Sequence, residues 1–213
     1  MKSKNDFISF MQEAGVLTFG DFTTKSGRKT PYFVNTGNYK TGKHISVLGD
    51  YYADLIVNSG EKHDALYGPA YKGITLAAAA AGSLYRNHGI DKPYFFNRKE
   101  AKDHGEGGSL IGYKPKDGDK IIIIEDVVTA GTAVRESLQL LNAVAKVTVT
   151  ALFVSVDRME RGTGTQSTLD ELKAEFDINV YPIITARDII ASFPNGDERI
   201  VKIEAYLKEY GGV

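Results

Sequence analysis

Apolar residues recur with two different periods along the chain, and each period predicts one kind of element. Between Phe7 and Ala14 the apolar positions follow a helical period, which Gly15 ends. Residues 16–35 hold two β-prone runs joined by a Ser-Gly-Arg turn, and this arrangement predicts a hairpin. A second helical period covers residues 45–56. The chain is therefore predicted to begin with a helix, a hairpin and another helix.

Predicted strands and helices alternate from about residue 64 onward. Residues 120–126 contain a continuous β-branched run, which is typical of a parallel strand covered on both faces. The other predicted strands are 64–68, 92–97, 146–157 and 178–185, and the predicted helices are 73–89, 131–143, one opened by Thr168 with Glu171 in a capping box, and closing helices. This order predicts an α/β fold with a mostly parallel central sheet flanked by helices. We interpret residues 1–213 as one domain, with residues 1–40 as a small helix and hairpin hood.

Charge is almost balanced, because Lys and Arg number 26 while Asp and Glu number 27. No global field would attract nucleic acid or an anionic membrane, so neither is expected as a partner. The chain has no cysteine, which excludes disulfides and thiolate metal sites. The first residues lack the apolar run of a signal peptide, and no stretch approaches the roughly 20 apolar residues that span a bilayer. We interpret the protein as cytoplasmic.

The segment IIIIEDVVTAGTAVRES, residues 121–137, carries the clearest chemistry. A predicted buried strand ends in Glu125 and Asp126, and residues 129–132 lead into an amphipathic helix. Ligands bind at the carboxyl ends of parallel strands, and small residues at a helix N-terminus let backbone N–H groups approach a phosphate. Adjacent carboxylates can accept hydrogen bonds from ribose hydroxyls and stabilise positive charge on the ring.

An ordinary strand end followed by an ordinary helix start would also place a threonine and a glycine in this segment. That alternative does not explain the adjacent carboxylates. The segment also lacks the lysine of a P-loop and the glycine spacing of a dinucleotide fingerprint, so neither of those sites is predicted.

A second candidate segment is the polar, glycine-rich stretch of residues 97–108. It contains Arg98, Lys99, Lys102 and His104 together with acidic residues that offset their charge. Its composition alone fits a solvated surface loop. Cationic groups on a glycine-hinged loop could also close over a pyrophosphate, exclude water and open to release product.

The segment E-D-V-V-T-A-G-T-A, residues 125–133, resembles the phosphoribosyl pyrophosphate motif of type I phosphoribosyltransferases. The run N-R-K-E-A-K-D-H-G-E-G-G, residues 97–108, is similar to the catalytic loop of the orotate phosphoribosyltransferases. Three more segments match the same family in the same order, at residues 24–35, 68–74 and 155–162. The chain departs from the family pattern at Glu125, where Asp is frequent, and at Val34, where a second aromatic residue is frequent.

The resemblance implies a type I phosphoribosyltransferase fold and transfer of the 5-phosphoribosyl group from phosphoribosyl pyrophosphate to orotate, a step of pyrimidine biosynthesis. It implies catalytic roles for Lys102, Asp103, Glu125 and Asp126. The implied contacts to phosphoribosyl pyrophosphate are Lys25, Tyr71, Lys72, Arg98, Lys99, Lys102, His104, Glu125, Asp126, Val127, Val128, Thr129, Ala130, Gly131, Thr132 and Ala133. The implied contacts to orotate are Phe33, Val34, Thr129 and Arg158.

The resemblance also implies Mg²⁺ that arrives with the pyrophosphate and needs no dedicated protein ligands. It implies a homodimer in which the loop of residues 97–108 reaches the neighbouring subunit's site. Two alternatives stay open. A purine phosphoribosyltransferase would keep the phosphate turn but lack the loop motif and the arginine of residues 155–162. A non-enzymatic regulator that senses phosphoribosyl pyrophosphate would lack the loop and carry a basic face for nucleic acid.

Overall fold

The N-terminal part of the chain folds into two helices and a hairpin. The computed structural model describes residues 3–24, 27–99, 109–162 and 164–212. Helix α1 spans Lys4–Glu13, strands β1 and β2 span Leu17–Thr23 and Lys29–Val34, a 3-10 turn spans Thr36–Asn38, and helix α2 spans Gly42–Ser59. Strands β1 and β2 pair antiparallel in a sheet of their own. The predicted order of helix, hairpin and helix is confirmed.

The following elements build one six-stranded sheet with helices on both faces. They are β3 Ala65–Gly68, α3 Lys72–His88, β4 Tyr94–Asn97, β5 Leu110–Gly112, β6 Lys120–Val127, α4 Thr132–Val144, β7 Thr148–Asp157, α5 Thr168–Phe176, β8 Asn179–Thr185, α6 Ala186–Ala191 and α7 Glu198–Tyr210. The strand order is β5-β4-β3-β6-β7-β8, and only the β4–β5 pair is antiparallel. The predicted α/β fold with a mostly parallel sheet is confirmed. Among the helices that the structure describes, none is both long and apolar enough to cross a bilayer.

Strand β6 lies inside the sheet with apolar cover on both faces. Ile122 and Ile124 belong to one core with residues of α2 and α3, whereas Ile121 and Ile123 belong to a second core with residues of α4 and α5. All four side chains are fully buried. Burial contributes about 1.5–3 kcal/mol for each large apolar side chain, so this strand anchors both layers of helices. The predicted two-sided cover follows from the strand period of two.

The hairpin is separate from the main sheet but shares its core. Leu17 and Tyr32 lie in the same apolar cluster as Ile122. The rings of Tyr32 in β2 and Tyr206 in α7 meet edge to face, with their centroids 6.3 Å apart. The N-terminal hairpin thereby packs against the C-terminal helix α7.

Two local features differ from the predictions. The predicted cap at Thr168 is wrong by one residue, because Ser167 is the N-cap of α5 and its hydroxyl accepts from the Asp170 N–H. Thr168 instead donates its hydroxyl to the Thr129 carbonyl at 2.7 Å, a contact between distant segments that local spacing does not reveal. Glu171 is also not a capping partner, since its carboxylate accepts from the Gly164 N–H.

Strand β5 was not predicted, because three residues are too few to show a period.

The close packing of α2 on α3 yields a stability prediction at Gly49. A Cβ on Gly49 would lie 2.7 Å from the Ala79 carbonyl oxygen, closer than side chains pack. We expect Gly49→Ala to lower the free energy of unfolding by about 1–3 kcal/mol, because the two helices must separate. Gly42→Ala is the matched control on the same helix, since nothing lies within 4 Å of its Cβ position. Urea unfolding of both variants tests this, and equal stabilities would contradict the packing argument.

Candidate active site

Strand β6 ends in Glu125 and Asp126, and the chain then turns into α4. Gly131 is the N-cap of α4 with a φ of 74°, a backbone conformation that favours glycine. A Cβ at this position would also lie 2.7 Å from Arg135 Nη1. Within the described residues no side chain caps this helix start, so the backbone N–H groups of its first turn are left for a ligand. Together with the helix dipole they suit a phosphate.

Three hydroxyl groups hold the backbone of this turn from different elements. The pairs are Tyr52 Oη with the Glu125 carbonyl at 2.6 Å, Ser155 Oγ with the Asp126 carbonyl at 2.7 Å, and Thr168 Oγ1 with the Thr129 carbonyl at 2.7 Å. The donors come from α2, β7 and α5, so the turn is fixed by its surroundings before any ligand arrives.

The Asp126 carboxylate is buried but strongly hydrogen-bonded. Lys72 Nζ lies 2.6 Å from Asp126 Oδ2, and the Thr36 hydroxyl donates to the same oxygen. Burial alone would raise the pKa of Asp126, but the hydrogen bonds from Lys72 and Thr36 outweigh it, and the net pKa is lowered. Asp126 is therefore ionised at neutral pH and carries a fixed negative charge at the end of β6.

The neighbouring Glu125 has the opposite electrostatic character. Burial raises the pKa of Glu125 to about 8, and repulsion from Asp126 acts in the same direction. The Asp126 N–H donates to Glu125 Oε1 at 3.0 Å, which opposes the rise without cancelling it. Glu125 is therefore mostly protonated at pH 7, so the two adjacent acids do not carry two charges.

Two cavities meet at this end of the sheet. The larger has a volume of about 560 Å³ and is lined by Thr24, Arg28, Phe33, Val34, Lys72, Asp126, Val127, Thr129, Ala130, Arg158, Glu160, Arg161 and Gly162. The smaller, of about 300 Å³, is lined by residues 125–134. Both cavities are lined by Asp126, Val127, Thr129 and Ala130, so they are neighbours. The turn of residues 129–132, which we call the phosphate turn, thus lies next to a pocket under the hairpin.

Arg158 lies on the hairpin side of the larger cavity. Its Nε donates to Glu160 Oε1 at 2.6 Å, and its Nη2 donates to Thr30 Oγ1 at 3.2 Å. The guanidinium carbon lies 4.3 Å from the centroid of the Tyr32 ring, a cation–π contact. Arg158 is almost fully buried. A buried guanidinium beside a cavity suits an anionic, planar ligand.

The structure brings together most of the site residues that the sequence predicted. Phe33, Val34, Lys72 and Arg158 line the larger cavity, and the predicted segment 125–133 lines the smaller one. Tyr71 is largely exposed beside them, and Lys99 Nζ lies 5.6 Å from the centroid of its ring. Arg98 directly follows β4 and precedes Lys99, and its N–H donates to the Ser109 carbonyl. Lys25, Lys102, Asp103 and His104 lie outside the described residues.

Several residues that support the site were not found from the sequence. They are Thr36, Tyr52, Ser155, Thr168, Glu160 and Tyr206, each of which hydrogen-bonds a predicted site residue or the Arg158 counter-ion. Ser155 and Glu160 lie in the segment 155–162 that matched the family, and Thr168 was predicted only as a helix cap, but the supporting contacts of these residues were not predicted. In the part of the chain that the structure describes, no group of three or more His, Asp or Glu side chains is arranged to hold a metal ion.

The chain matches known proteins along almost its whole length. Residues 35–178 match the family model of the phosphoribosyl transferase domain. An orotate phosphoribosyltransferase of Clostridium beijerinckii is 49% identical to this chain, covering 98% of it and 97% of the relative. The chain belongs to the orotate phosphoribosyltransferase family. A Shigella flexneri member of this family is 45% identical over 99% of this chain and 100% of its own length.

The orotate phosphoribosyltransferase fold is also found by structural comparison. The crystal structure of the Francisella tularensis orotate phosphoribosyltransferase superposes with a TM-score of 0.89 at 37% identity, covering 97% of this chain and 100% of that one. The domain match of residues 35–178 includes the phosphate turn and Arg158, whereas β2 and α7 lie outside it. The full-length matches to orotate phosphoribosyltransferases include those two elements as well.

The raised pKa of Glu125 predicts a pH-dependent gain in stability on its replacement. Between the ordinary value of 4.5 and about 8, the native state keeps a proton that the unfolded chain releases, so native stability falls as pH rises through this window. Gln cannot ionise and keeps the acceptor for the Asp126 N–H. We therefore expect Glu125→Gln to match the wild type at the acidic end and to be more stable above about pH 8.

Urea unfolding at a series of pH values from about 5 to about 9 measures this difference. Glu136→Gln, at an exposed position of α4, is the control and should follow the wild type throughout. A constant offset between Glu125→Gln and the wild type over the whole range would contradict a buried, protonated Glu125.

Proposed function

We propose that this protein is a pentosyl-transferring glycosyltransferase that moves the 5-phosphoribosyl group from phosphoribosyl pyrophosphate to orotate, yielding orotidine 5'-monophosphate and pyrophosphate. The observation that carries the proposal is the pair of neighbouring cavities, one lined by the phosphate turn and the other by a buried arginine. The two ends fit the two halves of the product, a ribose phosphate and a carboxylated base. The names of the family members that match this chain support the same reaction.

The ribose 5-phosphate would bind the turn of residues 129–132. Its oxygens would accept from the backbone N–H groups at the start of α4 and from the hydroxyls of Thr129 and Thr132. Backbone of Val127 and Val128 and the small side chains of Ala130 and Ala133 line the same cavity and allow close approach. The two ribose hydroxyls would then face Glu125 and Asp126.

Orotate would bind at the hairpin end of the larger cavity. The carboxylate suits the planar guanidinium of Arg158, whose remaining N–H groups would donate to it. Phe33 and Val34 line this cavity and would supply an apolar wall, and the backbone near Phe33 would supply further polar contacts. Thr129 borders the same space and would contact the base from the turn side.

The pyrophosphate would leave toward a cluster of cationic and polar groups. Lys72, Tyr71, Arg98 and Lys99 belong to this group among the described residues. By the family resemblance we add Lys25, Lys102, Asp103 and His104, which lie outside the described residues. The lysines, Arg98 and a protonated His104 would neutralise the leaving group, and Lys102 or a protonated Asp103 would be the candidate proton donor. Mg²⁺ would arrive bound to the pyrophosphate and would supply further charge neutralisation, without dedicated protein ligands.

The reaction develops positive charge on the ribose ring as the pyrophosphate departs. Asp126 is ionised and lies at the end of β6, so its charge would stabilise this oxocarbenium-like centre. Glu125 is mostly neutral and would hold a ribose hydroxyl by donating or accepting a hydrogen bond. The nitrogen of orotate would attack from the face opposite to the leaving group.

We also propose that the protein works as a homodimer with shared active sites. The support is the similarity of residues 97–108 to a catalytic loop that serves the neighbouring subunit in the orotate phosphoribosyltransferases. We place the reaction in the cytoplasm, because the cysteine-free composition fits a reducing compartment and the substrates are soluble metabolites. The balanced charge favours neither nucleic acid nor membrane as a partner.

A substrate panel tests the proposed function. Purified protein with Mg²⁺ and phosphoribosyl pyrophosphate is offered orotate, uracil, adenine and hypoxanthine, and nucleotide formation is measured. We expect orotate to exceed the other bases by about three orders of magnitude or more in kcat/KM, because a base without a carboxylate leaves the buried Arg158 unpaired. Faster use of adenine or hypoxanthine would support the purine alternative. Binding of phosphoribosyl pyrophosphate without any transfer would support the regulator.

Mixed dimers test the shared site. Lys102→Ala and Arg158→Ala should each nearly abolish activity alone, since one removes a leaving-group cation and the other the orotate anchor. After random reassortment half of the dimers are mixed and each has one intact site, so activity should recover to about a quarter of the wild type. Each variant remixed with itself is the control. A mixture as inactive as its parents would mean that the loop serves its own subunit.

A further inference from the structure

The orotate-side arginine is held by one carboxylate, that of Glu160. Glu160 Oε1 accepts from Arg158 Nε at 2.6 Å and from Tyr206 Oη at 2.8 Å. Its other oxygen, Oε2, lies 3.8 Å from Arg28 Nη1. Glu160 therefore links Arg158, which follows β7, to Arg28 of the hairpin and to Tyr206 of the C-terminal helix α7.

The backbone that carries Glu160 is itself fixed. Glu160 forms an isolated β-bridge with Gly211, and its carbonyl accepts from the Thr168 N–H at 3.1 Å. The next residue, Arg161, donates its N–H to the Tyr210 carbonyl at 2.8 Å. The side chain of Glu160 thus projects from a segment tied to α5 and to the end of α7, and it offers Arg158 a rigid acceptor.

The guanidinium of Arg158 is fixed in its orientation. An arginine has five N–H donors in a fixed plane. Glu160 engages Nε, Thr30 engages one N–H of Nη2, and Tyr206 also hydrogen-bonds the guanidinium. These contacts fix the plane and the direction of the guanidinium, whose side chain lines the larger cavity. The ring of Tyr32 covers one face of the guanidinium and prevents it from tilting in that direction.

The charges of this group also match a single carboxylate. Two guanidinium groups, those of Arg28 and Arg158, surround the one carboxylate of Glu160, and all three residues line the larger cavity. Arg161 lines the same cavity, so positive charge exceeds negative charge at this end and favours an anionic base. Without Glu160, two like charges would face each other in a partly buried space, which is costly.

We propose that Glu160, oriented by Tyr206 of α7, is the positioning residue that aims Arg158 at the carboxylate of orotate. The inference rests on the proposed function, because it names the residues that prepare the base end of that site. Helix α7 thereby contributes to base recognition through Tyr206, although Tyr206 does not line the cavity. The hydrogen bonds of the Glu160 and Tyr206 side chains go to Arg158 and to each other and not to residues 129–132, so replacing these side chains should affect mainly the base.

Steady-state kinetics of four variants test this, with orotate and phosphoribosyl pyrophosphate varied separately. Tyr206→Phe removes one hydrogen bond to Glu160 and should raise the KM for orotate about three- to tenfold. Glu160→Ala leaves Arg158 without its carboxylate partner and should raise the KM for orotate on the order of 100-fold. Glu160→Gln keeps the acceptor and should fall between the wild type and Glu160→Ala. The KM for phosphoribosyl pyrophosphate should change less than about twofold in every variant.

Tyr181→Phe is the matched control. Tyr181 Oη donates to Glu61 Oε1 at 2.9 Å, so the variant loses the same kind of hydrogen bond in β8, away from the cavity lining. It should leave both Michaelis constants unchanged. A general loss of structure would move both constants, or the amount of active enzyme, rather than the orotate constant alone.

Two outcomes overturn the inference in distinguishable ways. A wild-type enzyme that uses orotate, combined with an unchanged orotate KM in Glu160→Ala and Tyr206→Phe, would remove the positioning role and leave the proposed function intact. Equal rises of both Michaelis constants would do the same. A wild-type enzyme that does not use orotate would overturn the proposed function and this inference together.

Discussion

Strand β6 is buried on both faces, and this burial constrains the polar chemistry of the whole site. Four consecutive isoleucines pack into the two cores, so the first polar side chains after this run are Glu125 and Asp126 at the carboxyl end of the strand. Both acids are partly withdrawn from water there, and each must be neutralised or paired. Lys72 and Thr36 serve Asp126, while Glu125 keeps its proton. The positions of α3 and of the 3-10 turn after the hairpin therefore determine the protonation of Asp126, because these elements carry Lys72 and Thr36.

The opposite pKa shifts of the two acids resolve a conflict between folding and function. Two adjacent carboxylates, both ionised and both buried, would repel each other at close range and weaken the fold. One ionised acid suffices to stabilise a cationic ribose ring, and a neutral acid beside it can still hold a hydroxyl. The direct contact of Lys72 with Asp126 decides which of the two keeps the charge. A longer side chain at position 125 reaches back to the Asp126 N–H, which fits a holding role for Glu125.

The elements and the phosphate turn could be predicted from the sequence because their causes are local. The β-branched run of β6, the helical periods and the small residues of the turn each act over a few positions. The supporting contacts could not be predicted in this way. Tyr52 meets the Glu125 carbonyl across 73 positions of sequence, and Arg158 meets Thr30 across 128. Such pairs depend on how whole elements pack, and short segments such as β5 carry too few residues to show a pattern.

The two ends of the site differ in where their parts come from along the chain. The phosphate turn, Lys72 and the hydroxyls that clamp the turn all lie within residues 35–178, the range shared with the phosphoribosyl transferase domain. Arg158 and Glu160 lie in this range too, but Thr30, Tyr32 and Tyr206, which hold and orient them, lie outside it. A domain that only has to bind a ribose phosphate needs none of these three. If Arg158 binds the base as proposed, base recognition depends on how the hairpin and α7 pack against the common domain. A different hairpin or C-terminal helix would then change the direction of the same arginine and leave the phosphate turn as it is.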